Sequence, residues 1–162
     1  MANARNKWLI GIVSAATISG AALWEGKRND PYIPVPGDVP TVCYGETSVV
    51  MRHYTDAECT SMLKRNLVKY GDGVLRCIDV PINENEHTAY TLFAYNVGVY
   101  SFCHSVARDL LNAGQHAAAC KSLSTKPNGT PAWSTSGGVY YPGLQRRRKS
   151  EEARCLKPVE AT

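Results

Sequence analysis

From Trp8 to Trp24 the chain carries no charge: WLIGIVSAATISGAALW. Arg5 and Lys7 stand before the run and Glu25 directly after it. As one helix it would span roughly 26 Å, near the lower limit for crossing a bilayer. Gly, Ala, Ser and Thr make up much of it, so it is only weakly hydrophobic. Three readings compete: a cleaved signal peptide, a permanent anchor, and a signal anchor that inserts and later escapes. Weak hydrophobicity argues against the permanent anchor. A buried small-residue helix ranks below these, because positive flanks and an uninterrupted uncharged run coincide at the extreme N-terminus. Lys27 and Arg28 lie beyond the run, so the positive-inside bias is small.

Six cysteines, at 43, 59, 77, 103, 120 and 155, are an even number that suits three disulfides in an oxidising compartment. None forms a C-x-x-C pair and no Cys/His cluster has zinc-like spacing, so no structural zinc is expected. Fifteen pairings are open; Cys77 with Cys103 and Cys120 with Cys155 are the two expected. The length of 162 residues gives one domain, with room for two lobes around a cleft. An apolar fraction of 44% and a charged fraction of 20% exclude a wholly disordered chain and a polytopic membrane protein. A net charge of +4 favours an anionic partner (nucleic acid, a membrane surface or a cell-wall polymer) without choosing among them.

Beyond the run, the prolines and Gly-Asp turn of PYIPVPGDVP exclude a helix and suggest a small irregular β region continuing through TVCYG. Thr55 to Glu58 is a capping-box pattern opening an amphipathic helix with Cys59, Met62, Leu63 and Leu67 on one face. Gly71 and Gly73 are expected to end it. Further helices are expected from Glu84 to Val97, with Ala89, Leu92, Phe93 and Asn96 inward, then from Ser105 to Asn112, from Gln115 to Leu123 and from Leu144 to Cys155. Residues 126–142, rich in Gly, Pro, Ser, Thr and aromatics, read as a loop. Trp133, Tyr140 and Tyr141 within it favour core packing over sugar stacking. Asn128-Gly129-Thr130 reads as a turn rather than a glycosylation site. The fold class is α+β, mostly α.

Glu25 ends the apolar run, and sixteen residues later Thr41 opens Thr41-Val42-Cys43-Tyr44-Gly45-Glu46-Thr47. This order resembles the phage lysozymes of glycoside hydrolase family 24, the endolysins that cut bacterial peptidoglycan. Tyr32, Ala57-Glu58-Cys59, Tyr95-Asn96-Val97-Gly98, Leu111-Asn112-Ala113-Gly114, Gly143-Leu144, Arg146-Arg147-Arg148 and Glu151 have counterparts in the same order. The run before Glu25 resembles the signal-anchor-release segment of a subset of these endolysins. The resemblance implies a lysozyme-like fold: a small β-containing N-terminal lobe, a larger helical lobe, and a cleft between them. It divides the chain into a signal-anchor-release segment, 1–24, and a catalytic domain, 25–162.

Glycoside hydrolysis needs a carboxylic acid to protonate the leaving oxygen, and a partly apolar setting lets an acid hold its proton near neutral pH. The resemblance gives that role to Glu25. The family pattern places its second acid nine residues on, where this chain has Pro34, which can act neither as base nor as nucleophile. Asp38, in the altered turn three residues before Thr41, is the substitute candidate, its bland reading being an ordinary turn residue; Asp30 is the other acid nearby. Thr41 resembles the family's water-orienting threonine. Cys43 reads as a disulfide half rather than a nucleophile. The basic run Arg146 to Lys149 reads as a solvated helix face, with attraction to anionic envelope components as a secondary role.

The expected function is hydrolysis of the β-1,4 bond between N-acetylmuramic acid and N-acetylglucosamine by an exported monomer. It would be tethered to the inner membrane through residues 8–24 and then released to the periplasm, with no metal, cofactor or nucleic acid. Two alternatives stand beside this: a catalytically impaired peptidoglycan-binding lysis protein, and a basic nucleic-acid-binding protein, which an export segment and six cysteines disfavour.

Overall fold

The computed structural model describes residues 4–160, so residues 1–3 of the N-terminal segment and 161–162 of the expected catalytic domain lie outside it. Among the described residues seven α-helices carry the fold: α1 Ala15–Trp24, α2 Asp56–Leu75, α3 Glu84–Val97, α4 Val99–Cys103, α5 Val106–Asn112, α6 His116–Ser122 and α7 Pro142–Cys155. Two small antiparallel pairs accompany them: β1 Arg28–Tyr32 with β2 Thr41–Cys43, and β3 Thr135–Ser136 with β4 Val139–Tyr140. The second pair is a hairpin inside the stretch expected to be a loop. The class is therefore mostly helical with a little sheet, as expected.

The uncharged run is not one helix. Ala4–Leu9 forms a 3-10 turn, Gly11 takes φ +72, and helix resumes only at Ala15. Among the described residues no helix is long and apolar enough to cross a membrane. The break is held by one local contact and one from across the fold. Ser14 caps α1 by accepting from the Thr17 amide at 3.0 Å, and the Gly11 amide donates to the Asp72 carboxylate at 2.8 Å. Leu9 is fully buried in the core built from α3, α5 and α6, and Asn6 spans its carbonyl and amide groups to Val80 and Ile82. Farther along, Ser14 and Thr17 share hydroxyl hydrogen bonds with Thr88 of α3 at 3.0 and 3.1 Å. Gly20 lies so close to Leu92 that a Cβ there would sit 2.8 Å from its Cδ1. Small and hydroxylated residues weaken the run as a membrane span; here they let it dock.

The capping box opens α2 as expected: Thr55 accepts from the Glu58 amide and Glu58 accepts from the Thr55 amide. The helix does not stop at Gly71 or Gly73 but runs through both to Leu75. These glycines serve contact rather than termination. A Cβ at position 71 would lie 3.0 Å from His87 Nε2 of α3, and one at position 73 would lie 2.9 Å from Val99 Cγ2 of α4. α3 spans the residues expected, capped by Asn83 and Glu86. It is the central helix: Tyr90 and Phe93 are fully buried and pack against Phe102.

Three disulfides close the chain: Cys43–Cys59, Cys77–Cys103 and Cys120–Cys155. The last two are the expected pairs. Cys43–Cys59 ties the end of β2 to the first turn of α2. With a sequence separation of 16, such a link is worth about 3 kcal/mol by restricting the unfolded chain.

Candidate active site

A cleft of about 680 Å³ opens where α1 ends. Glu25 lines it from one side, Glu46 and its neighbours after β2 from another, and Asn66 and Lys69 of α2 with Tyr95 and Asn96 of α3 complete the wall. Asn96, expected inward, is exposed on the cleft instead; at the end of α3 its side of the helix meets the opening, not the core.

Glu25 follows the last residue of α1, and its amide donates to the Ala21 carbonyl at 2.9 Å. Its side chain is 30% exposed, and Arg147 Nη1 of α7 donates to Glu25 Oε1 at 3.1 Å. A guanidinium also complements the partial negative charge at the C-terminal end of α1. Arg147 is itself buried and reaches Glu151 Oε1 at 3.6 Å, while Arg148, fully buried, meets Glu151 Oε2 at 2.8 Å. The basic run is therefore not a solvated face. Arg146 and Lys149 are exposed, but the two arginines between them turn inward because α7 packs along α3, with Arg148 over the Phe93 ring at 5.0 Å. Burial pushes the Glu151 carboxyl up to about 7 against the opposing pull of Arg148 and Arg147.

Glu46 is half-buried, and Asn66 Nδ2 donates to its Oε1 at 2.6 Å. Burial raises its carboxyl above the usual glutamate range; Asn66, Arg65 and Lys69 oppose the rise. Tyr95 sits within the field of both carboxylates. Burial first, then Glu25 and Glu46, hold its hydroxyl protonated well beyond neutral pH. The cleft thus has two carboxyl groups, Glu25 and Glu46, and three phenols, Tyr44, Tyr70 and Tyr95.

Of the residues singled out from sequence, Glu25 lines this cleft; Asp38 and Thr41 are not among its lining residues. Asp38 is exposed in the turn between β1 and β2, where its amide donates to the Val35 carbonyl. Thr41 is buried opposite Tyr32, and its hydroxyl donates to the Val39 carbonyl at 3.1 Å. Pro34 lies in the same exposed turn, and Asp30 pairs with His53 at 2.8 Å. Glu46 and Glu151 carry no assigned role in the sequence motifs, and Arg147, expected on a solvated face, is buried. Glu46 stands inside the quoted Thr41–Thr47 motif, so position alone marked it; a single burial class for a basic helix could not mark Arg147. No group of three or more His, Cys, Asp or Glu among the described residues is arranged to hold a metal ion.

The chain matches the phage lysozyme family model over residues 22–151. It is 35% identical over 159 residues to a SAR-endolysin of Pseudomonas phage phiKMV, covering 94% of each chain. The active form of the P1 phage endolysin Lyz superposes with a TM-score of 0.71 at 25% identity, covering 89% of this chain and 84% of that one. The muramidase domain of SpmX from Asticaccaulis excentricus shares the fold, with a TM-score of 0.76 at 24% identity over 91% of this chain and 99% of that one. The family match takes in the acid at the end of α1, the cleft walls and the buried arginines of α7, and the chain belongs to the phage lysozyme family.

Proposed function

We propose that this chain is a peptidoglycan-degrading lysozyme that hydrolyses the β-1,4 bond between N-acetylmuramic acid and N-acetylglucosamine. The carrying observation is Glu25 at the mouth of α1, in a cleft and within hydrogen-bond distance of a buried arginine. Glu25 acts as the general acid and delivers a proton to the leaving glycosidic oxygen. Replacing Glu25 with Gln keeps its shape and removes the proton. Clearing of purified cell walls should fall by about 10²–10⁴-fold, the usual contribution of a positioned acid. Unchanged clearing by the folded variant would end this reading.

The second carboxylate, which activates water or supports the oxocarbenium-like charge, has two candidates. Asp38, with Thr41 orienting water, follows from the motif. Glu46 has in its favour that it lines the cleft with Glu25 and is held by Asn66. Asp38→Asn, Thr41→Val and Glu46→Gln, each assayed on purified walls, separate the two, because only the acting carboxylate loses activity on becoming an amide. If the parent protein binds walls without cleaving them, the reading of a catalytically impaired binding protein replaces both.

Residues 8–24 serve as the tether before release, and the enzyme works in the periplasm. The support lies in the relatives named SAR-endolysin and in the double nature of the run, apolar enough to insert weakly and small enough to dock on α3. While α1 lies in lipid, Glu25 is kept from the cleft. Exchanging residues 1–24 for a cleavable signal should uncouple lysis from membrane depolarisation; unchanged timing would discard the tether.

A further inference from the structure

Behind Glu25 lies a chain of buried charges that the cleft itself does not contain. Arg147 stands between two carboxylates, Glu25 at 3.1 Å and Glu151 at 3.6 Å. Glu151 is 2% exposed and is held from its other side by Arg148, whose Nε and Nη2 each lie 2.8 Å from it. The order is Glu25, Arg147, Glu151, Arg148: two guanidinium and two carboxyl groups closed off from water except at the cleft end. A general acid faces a conflict here. A guanidinium that orients a carboxyl also favours its ionised form, and the ionised form cannot donate. Dividing the guanidinium between two carboxylates relieves that conflict.

We propose that Glu151 is a positioning residue for the general acid: it draws on Arg147 from behind, so that the arginine orients Glu25 without stripping its proton. This rests on the reading of Glu25 as the acid. The other titratable groups facing Glu25 belong to the cleft: Tyr95 from α3, Tyr44 and Glu46 from the segment after β2, and Lys69 and Tyr70 from α2. None of them contacts Glu151 in the ion-pair chain, so a change at Glu151 reaches Glu25 through Arg147.

The test is the pH profile of kcat/KM on soluble peptidoglycan fragments, in which the alkaline limb reports loss of the acid's proton. In Glu151→Gln, Arg147 is left to Glu25 alone, and the alkaline limb should move down by about one pH unit. Glu151→Asp, which keeps the charge, should restore most of the original position. Because Glu151→Gln leaves two buried arginines facing one carboxylate and can fail to fold, the charge-balanced pair Glu151→Gln with Arg148→Met is measured beside it. It should shift the limb in the same direction. A uniform drop in activity at every pH, with the limb fixed in the folded variants, would reduce Glu151 to a structural role and overturn the proposal. Glu25→Gln is the control that separates the two readings. If that variant remains active, the assignment of the acid fails; if it is dead and the limb in the Glu151 variants does not move, only the present inference fails.

Discussion

His87 shows how one side chain can carry a pH dependence without touching the cleft. It sits in α3 facing the bare backbone of Gly71, it is 4% exposed, and its Nε2 has no hydrogen-bond partner. Burial holds its imidazole below the usual histidine range, against weaker opposing pulls from the Gly71 backbone and Asp72. The unfolded chain therefore takes up a proton near pH 6.5 that the folded chain refuses. The neutral ring's contribution is complete above that pH and is lost as pH falls toward the depressed folded value. Urea unfolding between pH 5 and 8 should show stability falling on the acid side, with a shallower fall in His87→Gln. Equal slopes would remove His87 as the cause. The other histidines have partners: His116 meets the buried Glu86 at 2.6 Å, His53 meets Asp30, and His104 Nδ1 lies 2.8 Å from the Tyr100 carbonyl. The histidines' lack of ligand spacing in the sequence points to surface or satisfied side chains, and His87 departs from that by being buried with an unpartnered Nε2. Which of them is buried was not legible there, because burial depends on the facing helix.

At the scale of elements, glycine was misread and capping was not. A capping box is a contact within four residues, so its signal is complete in the local sequence, and α2 begins where its box places it. Gly71 and Gly73 resemble helix stops only when the rest of the chain is ignored. In the fold they face side chains of α3 and α4 with no room for a Cβ. A methyl at position 73 would press on Val99, a β-branched side chain with little freedom to turn away. Gly73→Ala should therefore lower stability: overpacking costs about 1–3 kcal/mol, which outweighs the roughly 1 kcal/mol that alanine contributes to a helix interior. Because Val99 lines the cleft, wall clearing should fall with it. A thermal melt at or above that of the parent would show that α4 yields and the contact is slack. Residues 126–142 teach a similar lesson in smaller form. β3 and β4 are two residues each, turning through Gly137 and Gly138 at positive φ, and so short a pair leaves no alternating pattern to read.

For the molecule as a whole, the decisive feature is that the N-terminal run is part of the folded body. Leu9 has no exposed surface and belongs to the main core, although six positions separate it from α1. Leu9→Ala should cost about 2–5 kcal/mol, measured by denaturant unfolding of the purified protein. A loss near zero would mean that the 3-10 turn is not held in solution. Trp8, Ile10, Ile12 and Leu23 stay exposed on the docked segment, as expected of a run that is apolar on every side. The sequence by itself determined the helical class, the positions of most helices and the family resemblance that singles out Glu25, while it left the disulfide pairing among fifteen possibilities. It did so because caps, apolar periodicity and an ordered set of motifs are local in the chain. Only the tertiary structure decided that the run breaks at Gly11, that Glu46 shares the cleft with Glu25, and that Arg147 and Arg148 are buried around Glu151. Each of those outcomes is set by what packs opposite: α3 beneath the run, α2 across from Glu46, and the end of α1 beside α7. A charged or small residue looks the same in the sequence whether water or another helix lies across from it.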